Sequence, residues 1–304
     1  MEAWIPITIA AAFLQNLRSV LQKRLKGRLS DTGATFTRFV WAAPLAALYV
    51  LALVVGTGAS MPGLHPGFLL ACLLGGLAQI LATALLVRLF SLRNFTIGAT
   101  FTKTETLQAA AFGIAFLGDP VSVGAVAAIL VSLAGVFLIS LPIRAGRTAA
   151  ATEGPRSHLD RSALIGIVSG SLFGLSAVAF RGASLSLESG SVALRAAVTL
   201  MVVTALQTLL MAAWMHRRSP GEITRVLRQW RATAMVGVAG VAGSVGWFTA
   251  MTLETAAYVR AVGQIELLFA FAASWLLFRE RATVRELTGI GLVLTGILVL
   301  VIVH

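Results

Sequence analysis

Ten apolar blocks constrain this chain more than any other feature, because each has about the 20 residues a helix needs to cross roughly 30 Å of hydrocarbon. They cover residues 4–22, 33–55, 67–89, 95–117, 121–141, 162–184, 190–215, 232–253, 256–278 and 284–303. The blocks are continuously apolar and do not alternate, so helices are expected rather than barrel strands. Hydrophobic residues make up 58% of the 304 and charged residues 12%, against about 25% charged in an average soluble chain. The mean hydropathy is +0.89. The expected fold is an all-α membrane protein with ten transmembrane helices and the lipid bilayer as its surroundings.

Connections between blocks are short, except for residues 143–161, "IRAGRTAAATEGPRSHLDR". That stretch is small, polar and contains Pro155, which reads as a flexible cytoplasmic linker between two halves, 1–142 and 162–304. The halves are related. With a shift of 161 residues, "TKTETLQAAAFGIAFLGDP" from Thr102 lies on "GQIELLFAFAASWLLFRER" from Gly263. Glu105 falls on Glu266, Lys103 on Gln264, Ala99 on Arg260, Asp119 on Glu280 and Gly135 on Gly296. In the second blocks Arg38 is set against Arg195, and in the third the segment after Gly75 and Gly76 faces the run Gly237, Gly240, Gly243, Gly246. Five helices per half make the second copy enter the membrane from the opposite side. The repeats are therefore expected to be inverted, a design that allows alternating access.

The net charge of +12 is organised by loop. Loops 1–2, 3–4, 5–6, 7–8 and 9–10 carry 4, 2, 4, 5 and 3 Lys or Arg residues, with Arg88 and Arg285 at block ends counted with the loops they adjoin, while the termini and the remaining loops carry none. This bias places the basic loops in the cytoplasm and both termini outside a cell (inner or plasma) membrane. Arg181, Arg195 and Arg260, in the outer halves of their helices, run against it. No basic-aromatic module accompanies the charge, so nucleic acid is not an expected partner. In loop 7–8, Ile223, Val226, Leu227 and Trp230 recur at helical spacing, predicting a short amphipathic surface helix.

These features resemble the ten-helix EamA-type members of the drug/metabolite transporter superfamily. The resemblance rests on the duplication, on Arg38 and Arg195 early in their helices, and on an acidic residue before a glycine-containing last helix of each half. Those are Gly118-Asp119 with Gly135, and Arg279-Glu280 with Gly289 and Gly296. The chain departs from the family at Gln15-Asn16 and Phe173-Gly174, where a Trp-Gly is usual, and in the side on which its termini are expected. The resemblance implies two EamA-like five-helix repeats and the export of a small metabolite such as an amino acid or organic anion.

An ionisable side chain near the bilayer centre costs about 2.5–3.5 kcal/mol on insertion scales, so it faces a cavity or a partner. Lys103, Glu105 and Glu266 are so placed. Lys103 and Glu105 are separated by about 200° on a helix, so each needs a partner on another helix or water. On a helical wheel Thr102, Glu105 and Gln108 share one face and Lys103 another, while Arg260 and Gln264 share a face that excludes Glu266. The candidate substrate pathway comprises Gln15, Asn16, Arg18, Gln79, Lys103, Glu105, Trp247, Arg260, Gln264 and Glu266, with Glu266 and Glu105 as candidates for proton coupling. Counted with Arg38 and Arg195, five cations face two carboxylates, a field that favours an anionic or zwitterionic solute. Gly166, Gly170 and Gly174 form a small-residue face suited to close helix packing.

No HExxH, GxSxG or GxxxxGK[ST] is present, Cys72 is the lone cysteine, and His65, His158, His216 and His304 lie outside the cores of the blocks. Neither an enzyme, a metal site, a cofactor nor an ATP-driven pump is expected. The expected protein is a secondary-active transporter, monomeric or homodimeric, with proton coupling or exchange. A flippase for lipid or polyprenyl-linked substrates and a non-transporting scaffold are the alternatives.

Overall fold

A computed structural model of the protein describes residues 2–23, 29–90, 95–140, 155–278 and 283–303. In chain order it contains α1 (Trp4–Lys23), α2 (Asp31–Val40), α3 (Ala42–Thr57), α4 (Pro66–Phe90), α5 (Phe95–Thr102), α6 (Glu105–Phe112) with a π-helical turn at Gly113–Leu117, and α7 (Val123–Ser140). Then follow α8 (Pro155–Ser186), α9 (Val192–Arg218), α10 (Glu222–Arg228), α11 (Trp230–Leu253), α12 (Ala256–Gly263), α13 (Glu266–Phe278) and α14 (Val284–Val303). The protein is all-helical. Among the described residues eight stretches are long and apolar enough to cross a membrane. Two predicted blocks, 95–117 and 256–278, do not form single helices; each is interrupted near its middle.

Local chemistry sets most helix ends. Ser30 and Ser191 occupy equivalent positions under the 161-residue shift, and both are extended N-cap residues. The Ser30 hydroxyl accepts the Gly33 N–H at 3.0 Å and the Ser191 hydroxyl the Leu194 N–H at 3.3 Å. Measured from these caps, Arg38 and Arg195 lie one helical turn out of register, so their pairing in the sequence is not a pairing in the helices. The second span is interrupted at Trp41, between α2 and α3, because Pro44 cannot donate to the Val40 carbonyl and its ring crowds it. Pro155 begins α8, where its missing N–H costs nothing, so residues 155–161 of the predicted flexible linker are helical.

Contacts divide the chain into two compact units, one of Met1–Leu77 with Ala179–Thr255 and the other of Ala78–Val178 with Ala256–His304. Each draws on both halves of the sequence, and the division falls inside α4 and α8.

In the first unit Phe68, Phe180, Leu187, Leu194 and Leu200 form a core in which the Phe180 and Phe248 rings stack at 4.9 Å. The glycine run of α11 lies against α1 and Trp41. A Cβ on Gly246 would stand 2.8 Å from the Ala11 Cβ, one on Gly240 would stand 3.3 Å from the Arg18 side chain, and one on Gly237 would collide with Trp41. Arg181 donates to the Met251 carbonyl at 2.8 Å and to the Glu254 carbonyl, covering the C-terminal end of α11. That contact accounts for one of the arginines that run against the loop-charge bias.

The predicted surface helix in loop 7–8 is α10, and its first turn holds a buried carboxylate, Glu222. Oε1 of Glu222 accepts the Ser30 N–H at 2.8 Å and the Ser30 hydroxyl at 2.7 Å, while Oε2 takes Arg225 at 2.9 Å. Burial pushes this carboxyl up, but the Ser30 hydrogen bonds and the Arg225 charge outweigh it and hold it below its ordinary value.

In the second unit α7 and α14 cross through reciprocal glycine contacts. A Cβ on Gly135 would lie 2.6 Å from the Gly289 carbonyl oxygen, and one on Gly296 would lie 2.7 Å from the Ala128 carbonyl oxygen. The shift of 161 maps Gly135 onto Gly296 and Ala128 onto Gly289. The two helices thus meet through equivalent backbone at both contacts.

Two predictions follow from this packing. Gly135→Ala and Gly296→Ala force the backbones of α7 and α14 apart, at a cost of about 1–3 kcal/mol. Gly291→Ala, with nothing within 4 Å of its Cβ, is neutral or stabilising. Thermal unfolding in detergent ranks the three. Glu222→Gln loses about 1.5–3 kcal/mol at neutral pH, the worth of hydrogen bonds to a charged group. Because the folded pKa of Glu222 is depressed, its contribution is fully present above the ordinary value of 4.5 and is lost as pH falls through the lower folded value. Melting curves of wild type and Glu222→Gln are therefore expected to converge only below that value.

Candidate functional site

Both interruptions lie in the second unit and fall at the same place in the two halves. α5 ends at Thr102 and α6 begins at Glu105; α12 ends at Gly263 and α13 begins at Glu266. The backbone hydrogen bonds that close the two turns match. Lys103 N–H reaches Thr100 O at 3.0 Å and Thr104 N–H reaches Phe101 O at 3.1 Å, while Gln264 N–H reaches Ala261 O at 3.2 Å and Ile265 N–H reaches Val262 O at 3.1 Å. These are i to i+3 bonds, so each helix tightens into a 3₁₀ turn just before its glutamate. In the first turn the Thr104 hydroxyl takes the Phe101 carbonyl at 2.7 Å, competing with the helix ladder. In the second, Gly263 supplies the weak point.

The interruption gives ionised groups helix ends of suitable sign. Glu105 and Glu266 sit in the first turns of α6 and α13, where the helix dipole favours an anion. Arg260 sits in the last turn of α12, where it favours a cation. The charges then cross between halves. Lys103 Nζ donates to Glu266 Oε1 in a direct ion pair, and Arg260 Nη1 stands 3.7 Å from Glu105 Oε1. The side chains of Arg260 and Glu105 are 13% and 15% exposed. With all four ionised the quartet carries no formal charge.

Neutral groups fix this arrangement. Gln264 donates to the Thr106 hydroxyl at 2.9 Å and accepts from the Ser132 hydroxyl at 3.0 Å, tying the second turn to α6 and α7. The glycine face of α8 lies along the first interruption. A Cβ on Gly170 would be 2.7 Å from the Thr102 carbonyl oxygen, and one on Gly174 would be 3.1 Å from the Glu105 carbonyl oxygen. Gln108 Nε2 reaches the Ile167 carbonyl of α8 at 3.4 Å.

The structure therefore brings together Lys103, Glu105, Arg260, Gln264 and Glu266 of the predicted pathway residues. Gln79 is in the same unit on α4, where its carbonyl accepts from Thr83. Gln15, Asn16, Arg18 and Trp247 belong to the first unit, the first three on α1 and Trp247 buried in α11. Glu105 and Gln108 lie three residues apart on α6, and a Cβ on Gly170 would stand 3.0 Å from Gln108 Oε1 and 3.3 Å from the Glu105 nitrogen, so both border the same glycine of α8. Lys103 and Gln264, equivalent in sequence, differ: one joins an ion pair and the other a neutral network. Thr106 and Ser132 were not among the predicted residues, because isolated hydroxyls in apolar helices carry no sequence signal. Asp119 is buried and its N–H closes the π turn on the Gly113 carbonyl at 3.1 Å. Its sequence counterpart Glu280 lies outside the described residues.

Breaking one member of a buried pair costs about 3–5 kcal/mol, because it strands the other charge. Lys103→Met is expected to lower the melting temperature in detergent by an amount toward the low end of that range, since its side chain is 26% exposed. Adding Glu266→Gln should return most of the loss; an additive loss in the double variant would show that the pair does not couple.

A protein of known crystal structure superposes on 100% of this chain and 99% of its own length, with a TM-score of 0.70 and 13% sequence identity, a likeness of fold alone. No curated protein matches the chain in sequence. The sequence model of the EamA-like transporter family matches residues 161–302. Its members are membrane transporters, and the chain, with its apolar helices, is a multi-pass membrane protein. The likeness to the EamA-like transporter family thus covers the second half of the chain.

Proposed function

We propose that the protein is a secondary-active transporter that moves a small metabolite, an amino acid or organic anion, across the cell membrane by alternating access. The observation that carries this reading is the pair of interrupted helices at repeat-equivalent positions, joined by crossed ion pairs. Membrane transporters commonly build their sites from discontinuous helices where two repeats meet. In this reading the interrupted segments are the fourth and ninth of ten spans, arranged as two inverted five-helix repeats. The reciprocal contacts of Gly135 with Gly289 and of Gly296 with Ala128 support it, since segments related by a two-fold meet in this way. The loop-charge bias puts both termini outside. Export, rather than uptake, rests on the family resemblance.

The quartet narrows the solute argument. Two of the five intramembrane cations, Lys103 and Arg260, are already balanced by Glu266 and Glu105. The quartet itself is neutral, so the preference for amino acids and organic anions over cationic dyes rests on the remaining intramembrane cations, Arg18, Arg38 and Arg195.

Metabolite profiling of cells lacking or overproducing the protein selects candidate solutes, and flux into proteoliposomes tests them. Amino acids or organic anions are expected to move, with accumulation that follows a pH gradient and loses that dependence in Glu105→Gln/Glu266→Gln. Flux confined to cationic dyes, or a requirement for a lipid-linked substrate, would overturn the proposal.

A further inference from the structure

The two ion pairs are not alike, and the difference assigns them different work. Glu266 receives a direct hydrogen bond from Lys103. Glu105 is approached by Arg260 at 3.7 Å, beyond hydrogen-bonding distance, and feels the charge of Lys103, but no hydrogen bond reaches its carboxylate among the described residues. A carboxylate can accept about four hydrogen bonds, and Glu105, with a loose ion pair and a side chain 15% exposed, keeps oxygens that water can reach. We infer that Glu105 is the carboxylate that exchanges a proton during transport, while Lys103–Glu266 stays closed and holds the two interrupted helices together. This rests on the transporter reading and refines it, choosing between two glutamates that the sequence leaves equivalent.

The surroundings allow the step. α12 contributes Arg260, and Tyr258 whose hydroxyl accepts the Ser122 N–H at 3.3 Å. The turn contributes Lys103, with Glu266 of α13 behind it. α8 presents Gly170 and Gly174 there, its ionisable residues lying toward its ends, and α7 contains no ionisable residue. Taking one proton from water converts the Glu105 carboxylate to the acid and changes the quartet from zero to +1. The Lys103–Glu266 bond is untouched.

Dicyclohexylcarbodiimide tests this without a solute, because it adds to protonated carboxylic acids in apolar surroundings and leaves an N-acylurea that peptide mass spectrometry can place. On the purified full chain, label is expected on Glu105, rising as pH falls, and not on Glu266. Lys103→Met/Glu266→Gln, which keeps the chain free of a stranded charge, should leave Glu105 labelling intact. Label on Glu266, or on neither glutamate, would overturn the inference. In proteoliposomes Glu105→Gln should lose accumulation driven by a pH gradient yet keep solute exchange at equal pH, and Glu105→Asp should regain part of the accumulation. Loss of exchange together with accumulation in Glu105→Gln would make the residue structural and also overturn it. A wild-type protein that moves no solute would sink the transporter reading alone, whatever the carbodiimide result.

Discussion

An unbalanced charge at mid-membrane costs several kcal/mol, and the second compact unit is organised around avoiding that cost. Four ionisable side chains sit on two segments that could not neutralise themselves, because spacings of two residues (Lys103, Glu105) and six (Arg260, Glu266) put the partners about 200° and 240° apart on a helix. Tightening each helix into a 3₁₀ turn places the glutamates at new helix starts, where the peptide dipoles favour a negative charge by about 0.3–1 kcal/mol, more when partly buried. Crossing the pairs between halves supplies the rest. The price of that design is a weak point in both helices, and the neighbouring elements cover it. α8 presents glycines at Gly170 and Gly174 so that its backbone can lie directly on the first turn, and Gln264 ties the second to two hydroxyls.

What repeats between the halves and what does not fall into separate classes. The serine caps, the interruptions with their hydrogen-bond pattern, and the glycine contacts of α7 and α14 repeat residue for residue. These are backbone features. The side chains on that backbone diverge: Lys103 faces Gln264 in the alignment and Ala99 faces Arg260. Each half therefore supplies one cation, but from a different position, so one pair is direct and the other open. A symmetric backbone with asymmetric charges is what allows two otherwise equivalent glutamates to act differently.

Much of this was legible in the sequence, for a physical reason. Apolar block length is dictated by the surrounding hydrocarbon, which leaves few alternatives to helix. The need of Lys103, Glu105 and Glu266 for partners on other helices also follows from periodicity alone, and the partners are there. The interruptions were hidden because neither contains proline and hydropathy averages across them. Glu222 was invisible for the opposite reason: an acid beside arginines in a polar loop reads as solvated, and only the fold brings Ser30 to it. The linker reading stopped short as well, because proline both ends and begins helices and Pro155 does the second.

The identity of residue 264 shows how closely the charge count is held. A lysine there, matching Lys103, would add a third cation to two carboxylates at a position only 4% exposed. It could also donate to Thr106 but could not accept from Ser132, since an ammonium has no acceptor. Glutamine does both, at 2.9 and 3.0 Å, without charge. Arg260, one turn earlier, can then be the cation of its half, close enough to balance Glu105 and too far to bind it with a hydrogen bond. The neutral amide at 264 is thus the condition for the open pair at 260. Exchanging the two positions would keep the charge count but put a cation, which has no acceptor, where the Ser132 hydroxyl donates.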